Sequence, residues 1–302
     1  MYQLIGFEKN LETVITLSYQ QLLQEKNPDT LGLKRAYNKF LRNIQSDSSV
    51  PASDSMDVEF VSNPNIIKNL IEQYKVRSAL DDKDQSKAII PPDSNQSFEL
   101  MQIATQNCQR EFGKLKHNYP EFTNLFELVI NYVFCALSNV SGGGSTSNAI
   151  GIIWASPKSN WQSEDFVEFY THEFTHHLVF LDERRYQHYI DYDLILDSDN
   201  FCRSAILCMA RPLDKVFHSL LVATEVLLTR ENVLGHPQFP KIHPPTEDML
   251  DNCFQTISSI ETLQARKSIL TARGLELMNL CKDKLHEISK SQCKQKYAVI
   301  GS

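Results

Sequence analysis

The run from Ser163 to Arg185, SEDFVEFYTHEFTHHLVFLDERR, constrains the fold more than any other stretch of the chain. Phe166, Val167, Phe169, Tyr170, Phe174, Leu178, Val179 and Leu181 cover most of the circumference of a helix. A helix apolar nearly all round is a buried one. Ser163 is placed to cap its start, and Glu164 and Asp165 suit the positive end of its dipole. Its centre holds three of the chain's nine histidines, His172, His176 and His177, around Glu173. His172, Glu173 and His176 form the pattern H-E-x-x-H.

Residues four apart lie on one helix face, so His172 and His176 can bind the same metal ion. Glu173 is turned by about 100°, beside such an ion, where it can bond to metal-bound water as a general base. The competing reading is a polar patch. Two imidazoles and a carboxylate on a buried helix are costly without partners, and an ion satisfies both rings at once. His177 points off the His172/His176 line and is expected to make a buried hydrogen bond instead.

A tight site needs a third ligand. The extended pattern H-E-x-x-H-x-x-G-x-x-H is absent, because Val179 stands where the helix-breaking glycine belongs and Asp182 where the last histidine belongs. Without that break Asp182 stays on the helix, away from the ion. Two candidates remain on the helix predicted after Pro212: His218 and Glu225, seven residues apart on one face. His218, within VFHSLL, is the stranger residue there and is favoured.

Elsewhere the pattern is mostly helical: residues 4–44, 64–80 and 98–115, a helix opened by Pro212 and closed near Gly235, and one or two long helices over 246–292. SDSSVPASDSMD at 46–57 reads as a surface loop. ELVINYVFCALSNV and IGIIWASP, rich in Val, Ile, Phe, Tyr and Trp, read as strands around SGGGSTSNA. No G-K-[ST] follows those glycines, which argues against a phosphate loop. The expectation is one mainly α (α+β) domain over 1–302. Its helical lobe is 1–125 and its metal-site core 126–302, with a small antiparallel sheet or hairpin beside the HExxH helix, and IGIIWASP as an edge strand able to hold an extended peptide.

At 302 residues, 42% apolar and 22% charged, the chain can bury a substantial core. A net charge of −7 without a dense Lys/Arg run argues against nucleic acid as a partner. Seven scattered cysteines with no C-x-x-C pair point to reduced thiols and a cytoplasmic protein. No signal peptide or membrane span is expected. The oligomeric state stays open.

The combination GGGSTS, IGIIWASP, THEFTHH and RPLDKVFH, over roughly 141–231, resembles a family of HExxH proteins of ribosomal peptide natural-product biosynthesis. The resemblance implies a zincin-like core put to other use: an iron(II)- and 2-oxoglutarate-dependent enzyme that hydroxylates a β-carbon of a precursor peptide. Three imidazoles, His172, His176 and His218, then leave iron positions for 2-oxoglutarate and dioxygen. Arg211, seven residues before His218 at a helix start, is the candidate cation for the distal carboxylate of 2-oxoglutarate, with Arg203 and Lys215 as rivals. The alternatives are a zinc metallopeptidase with Glu173 as general base, and a non-catalytic peptide-binding protein.

Overall fold

The computed structural model describes residues 1–45, 55–75, 85–91 and 94–300. Its elements begin with α1 (Tyr2–Ile5), α2 (Phe7–Leu22), α3 (Thr30–Ile44), β1 (Glu59–Val61), α4 (Pro64–Glu72), α5 (Asn95–Asn118) and α6 (Pro120–Val129). Then come β2 (Tyr132–Cys135), β3 (Gly143–Gly144), β4 (Ile152–Ala155), α7 (Ser163–Tyr186) and α8 (Asp193–Leu196). The chain closes with β5 (Cys202–Arg203), β6 (Ala210–Arg211), α9 (Leu213–Thr229), α10 (Thr246–Arg266) and α11 (Ala272–Ile300). The fold is mainly α with a small sheet. Most of the loop expected at 46–57, and the end of the helix expected to reach residue 80, lie outside the described residues.

Two compact units divide the chain, one formed by residues 7–185 and the other by 1–6 with 186–302. A boundary at residue 125 would cut through a single sheet, because β1 pairs with β2 and β2 with β4. The HExxH helix therefore belongs with the preceding helices and strands.

In the first unit the strand order is β1-β2-β4-β3. The sheet is mixed rather than wholly antiparallel: β1, β2 and β4 run parallel, and antiparallel pairing is confined to the two-residue β3 with β4. The physical reason lies in the strands themselves. YVFC and IIWA are buried at every position, as strands covered on both faces are, and parallel pairing with crossovers produces such cover. Tyr132, Phe134, Ile152 and Trp154 join Ile67 and Leu70 of α4 and Met101 of α5 in one core. The alternate residues point to the opposite face, where Cys135 Sγ lies 3.6 Å from Cys108 Sγ of α5.

Aromatic rings fix α7 to its neighbours. Phe126 of α6 contacts Phe112, Phe122, Tyr170 and Phe174, with centroids 5.0–6.0 Å apart. Tyr170 donates its hydroxyl proton to the Cys108 carbonyl at 2.8 Å. Such pairs each contribute about 0.5–1.5 kcal/mol beyond burial. The start of α7 differs from expectation. Ser163 does not cap it; its hydroxyl bonds to Glu111 of α5 at 2.8 Å, while Asp165 accepts from the Gln162 N–H at 2.7 Å.

The second unit holds α9, α10 and α11 with the antiparallel β5–β6 pair. Gly235 ends the turn after α9 at φ +78°, a conformation open chiefly to glycine. Among the described residues no helix is long and apolar enough to cross a membrane.

The α6 terminus carries an unusual buried group. Lys34 of α3 donates from Nζ to the carbonyls of Glu127, Leu128 and Ile130 at 2.6, 3.2 and 3.1 Å. Burial lowers its pKa to about 7 against the pull of Glu127. An unfolded lysine keeps its proton to about pH 10.4, so between these values the unfolded chain binds more protons and stability rises with pH. Lys34→Met is expected to abolish that rise in urea titrations between pH 7 and 10. At pH 9, with the carbonyls left without a donor, it should lower stability by about 1–3 kcal/mol.

Candidate metal half-site on the HExxH helix

Helix α7 runs unbroken from Ser163 to Tyr186, so Asp182 stays on it, buried, as the missing glycine requires. Most of its central turns are buried, but His172, His176, Phe180 and Glu183 are partly exposed. Spaced four, four and three residues apart, they form one stripe along the helix. The two histidines of the motif thus occupy the open line of an otherwise enclosed helix.

Their rings converge. His172 Nε2 and His176 Nε2 are 3.3 Å apart. Two nitrogens bound to one ion at about 2.1 Å are separated by about 3.0 Å across a right angle and about 3.4 Å across a tetrahedral one. The pair fits a single ion between those geometries. The same spacing lets one neutral ring donate to the other. Among the described residues no group of three or more His, Cys, Asp or Glu is placed to hold a metal ion. The geometry on α7 is a pair of converged imidazoles, a candidate for half of such a site.

Glu173 sits beside it. Its Oε1 is 4.0 Å from His172 Nε2, and its Oε2 accepts from the Ser145 hydroxyl at 2.7 Å. Burial pushes its carboxyl up to about 8, against the lowering effect of that hydrogen bond. His177, expected off the line, is fully buried and accepts from the Gly151 N–H through Nδ1 at 3.2 Å. Its Nε2 has no partner among the described residues, and burial lowers its pKa to about 3. It is neutral and structural.

Ser145 has no signal in the sequence, because its contact with Glu173 spans 28 residues. It follows β3, and β3 corrects the expected peptide edge. IGIIWASP forms β4, an interior strand bonded to both β2 and β3, so β3 at Gly143–Gly144 is the edge on that side. The glycines allow this edge to lie against α7. A Cβ at Gly143 would meet Phe169 Cε2 at 2.4 Å and the Trp154 carbonyl at 2.6 Å.

The remaining candidates belong to the second unit. His218 is buried on α9. Glu225, fully buried on the same helix, accepts from the backbone N–H groups of Leu4 and Gln3 at 2.8 and 3.0 Å and pairs with the Met1 ammonium. Both carboxylate oxygens are thereby engaged by the N-terminal turn. Arg211 is not at a helix start. It lies on β6 opposite Cys202, before α9 opens at Leu213, so the helical phasing with His218 does not apply. Pro212 comes first because its fixed φ suits a helix entrance and it lacks an N–H. Lys215 pairs with Asp214 at 2.8 Å, and Arg203 donates to the Cys208 carbonyl at 2.8 Å.

No family model matches the chain, and no curated protein is significantly similar to it.

Gly143→Val is expected to lower stability by about 1–3 kcal/mol through overpacking against Phe169 and Trp154. Urea unfolding followed by near-ultraviolet circular dichroism checks this; a wild-type midpoint would mean that β3 does not press on α7.

Proposed function

We propose that the chain is a metal-dependent enzyme acting on an extended peptide, with His172 and His176 holding the ion. The observation that carries this reading is the 3.3 Å convergence of their Nε2 atoms on the open stripe of a buried helix. At that separation one ion can be held by both imidazoles at once.

The reaction we favour is iron(II)- and 2-oxoglutarate-dependent hydroxylation of a peptide β-carbon. The resemblance of THEFTHH and RPLDKVFH supports it, and so does Glu225. A peptidase that draws a glutamate ligand from a later helix requires a free carboxylate, and Glu225 is committed to Met1, Gln3 and Leu4. When bound, iron(II) supplies the redox chemistry that couples decarboxylation of 2-oxoglutarate to insertion of one atom of dioxygen into a C–H bond. The protein's own groups do the rest. The two imidazoles hold the ion. Ser145 orients the Glu173 carboxyl beside them, where burial lets it keep a proton near neutrality.

A zinc peptidase is the second reading. The Glu173 carboxyl, 4.0 Å from His172 Nε2 and tuned towards neutral pH, favours it as a general base.

Anaerobic addition of iron(II) and 2-oxoglutarate is expected to give a weak visible charge-transfer band that is lost in His172→Ala and His176→Ala. Oxygen should then drive succinate formation even without peptide. The third ligand expected from the sequence is read in the same titration: His218→Ala should abolish metal binding. Arg211→Gln should raise the 2-oxoglutarate concentration needed for the band. Mass spectrometry of a substrate peptide separates the readings, since a gain of one oxygen supports the hydroxylase and cleavage supports the peptidase. Full function in Glu173→Gln would instead favour a binding protein without catalysis.

A further inference from the structure

The second unit contains a groove of about 410 Å³ whose walls are unrelated to the HExxH motif. One wall is a polar face of α10, and the other is β5. The polar groups lining it are Arg203, Gln255, Ser258, Ser259, Thr262 and Arg266. Positions 255, 258, 259, 262 and 266 recur at three- and four-residue spacing, so α10 presents them on one side. No Asp or Glu is among the described residues lining the groove.

Both guanidinium groups keep donors in reserve. Arg266 gives one N–H to the Asp199 carbonyl at 3.3 Å, and Arg203 gives one to the Cys208 carbonyl at 2.8 Å. Neither pairs with a carboxylate among the described residues. Arg203 Nε is buried and has no acceptor among them. A guanidinium has five N–H donors and no acceptor, and a buried donor without a partner costs about 1–3 kcal/mol. The two guanidinium groups, with the Ser258 and Ser259 hydroxyls and the Gln255 amide, form a donor-rich surface with no carboxylate among its described lining residues. The strand backbone is already secured, because Ser259 Oγ accepts from the Arg203 N–H at 3.1 Å.

We propose that this groove binds a small molecule through an oxyanion, a phosphate or a carboxylate group, held between Arg203 and Arg266. Planar guanidinium forks match both groups in charge and geometry. The groove is open and larger than the anion alone requires, which leaves room for an organic body alongside the charge. Gln255 and Ser258 can meet polar atoms of that body. This site does not depend on the metal reading.

The test is isothermal titration of the full chain with inorganic phosphate and, separately, with succinate, each against sodium chloride at matched ionic strength. Saturable binding of at least one is expected. Phosphate alone identifies a phosphoryl ligand, succinate alone a carboxylate ligand, and both the shared chemistry. Arg203→Gln and Arg266→Gln should each weaken binding roughly tenfold or more. Lys267→Gln, which removes a neighbouring charge outside the groove, should leave it unchanged. Arg266 is exposed, so Arg266→Gln decides the matter even if Arg203→Gln fails to fold. No binding of either anion, wild-type affinity in Arg266→Gln, or equal loss in Lys267→Gln overturns the proposal.

Discussion

The candidate site depends on how α7 is buried. Rings from α5 and α6 close around Tyr170 and Phe174, and the sheet covers the neighbouring side, so that His172 and His176 remain on a partly open line. One turn of helix then fixes the separation of the two imidazoles, while the packing around it limits their movement. A surface helix with the same four residues would present two independent, hydrated rings. Enclosure turns spacing into a fixed pair of imidazoles.

The same enclosure sets the character of Glu173. Removed from water, its carboxyl is held near neutrality, and the only hydrogen bond to its carboxylate oxygens among the described residues comes from Ser145. Ser145 reaches it because β3 lies close against α7, which the lack of a side chain at Gly143 permits. The glycine run, readable as a flexible turn, is instead a tight approach of one backbone to a ring. It links the sheet edge to the carboxyl beside the histidines.

Burial of charge is resolved differently elsewhere. Glu225 answers the N–H groups and ammonium of the N-terminal turn, and Lys34 answers three carbonyls at the end of α6. Each charged group is matched to backbone atoms of another element, as enclosed charges require. Arg203 and Arg266 are matched only in part, each giving one N–H to a carbonyl, and the buried Arg203 Nε has no acceptor among the described residues. Glu225 also shows why sequence alone could offer two third ligands: both candidates face the same way on α9, and the contacts that occupy one of them come from residues more than 200 positions away.

Local physics made a good part of this protein legible. Helical periodicity and proline and glycine punctuation marked α7, α9 and a long helical C-terminal stretch without fixing it as one helix or two, and spacing put His172 and His176 on one face and His177 off it. Continuous apolar runs also signalled two-sided burial of β2 and β4, although the antiparallel expectation overlooked that sign. Tertiary structure alone decided strand direction, the edge at β3, the Ser145–Glu173 bond, the engagement of Glu225 and the place of Arg211 on a strand. Those features rest on pairings between distant segments, and a period read along one chain carries no information about which distant residue will fill the space opposite it.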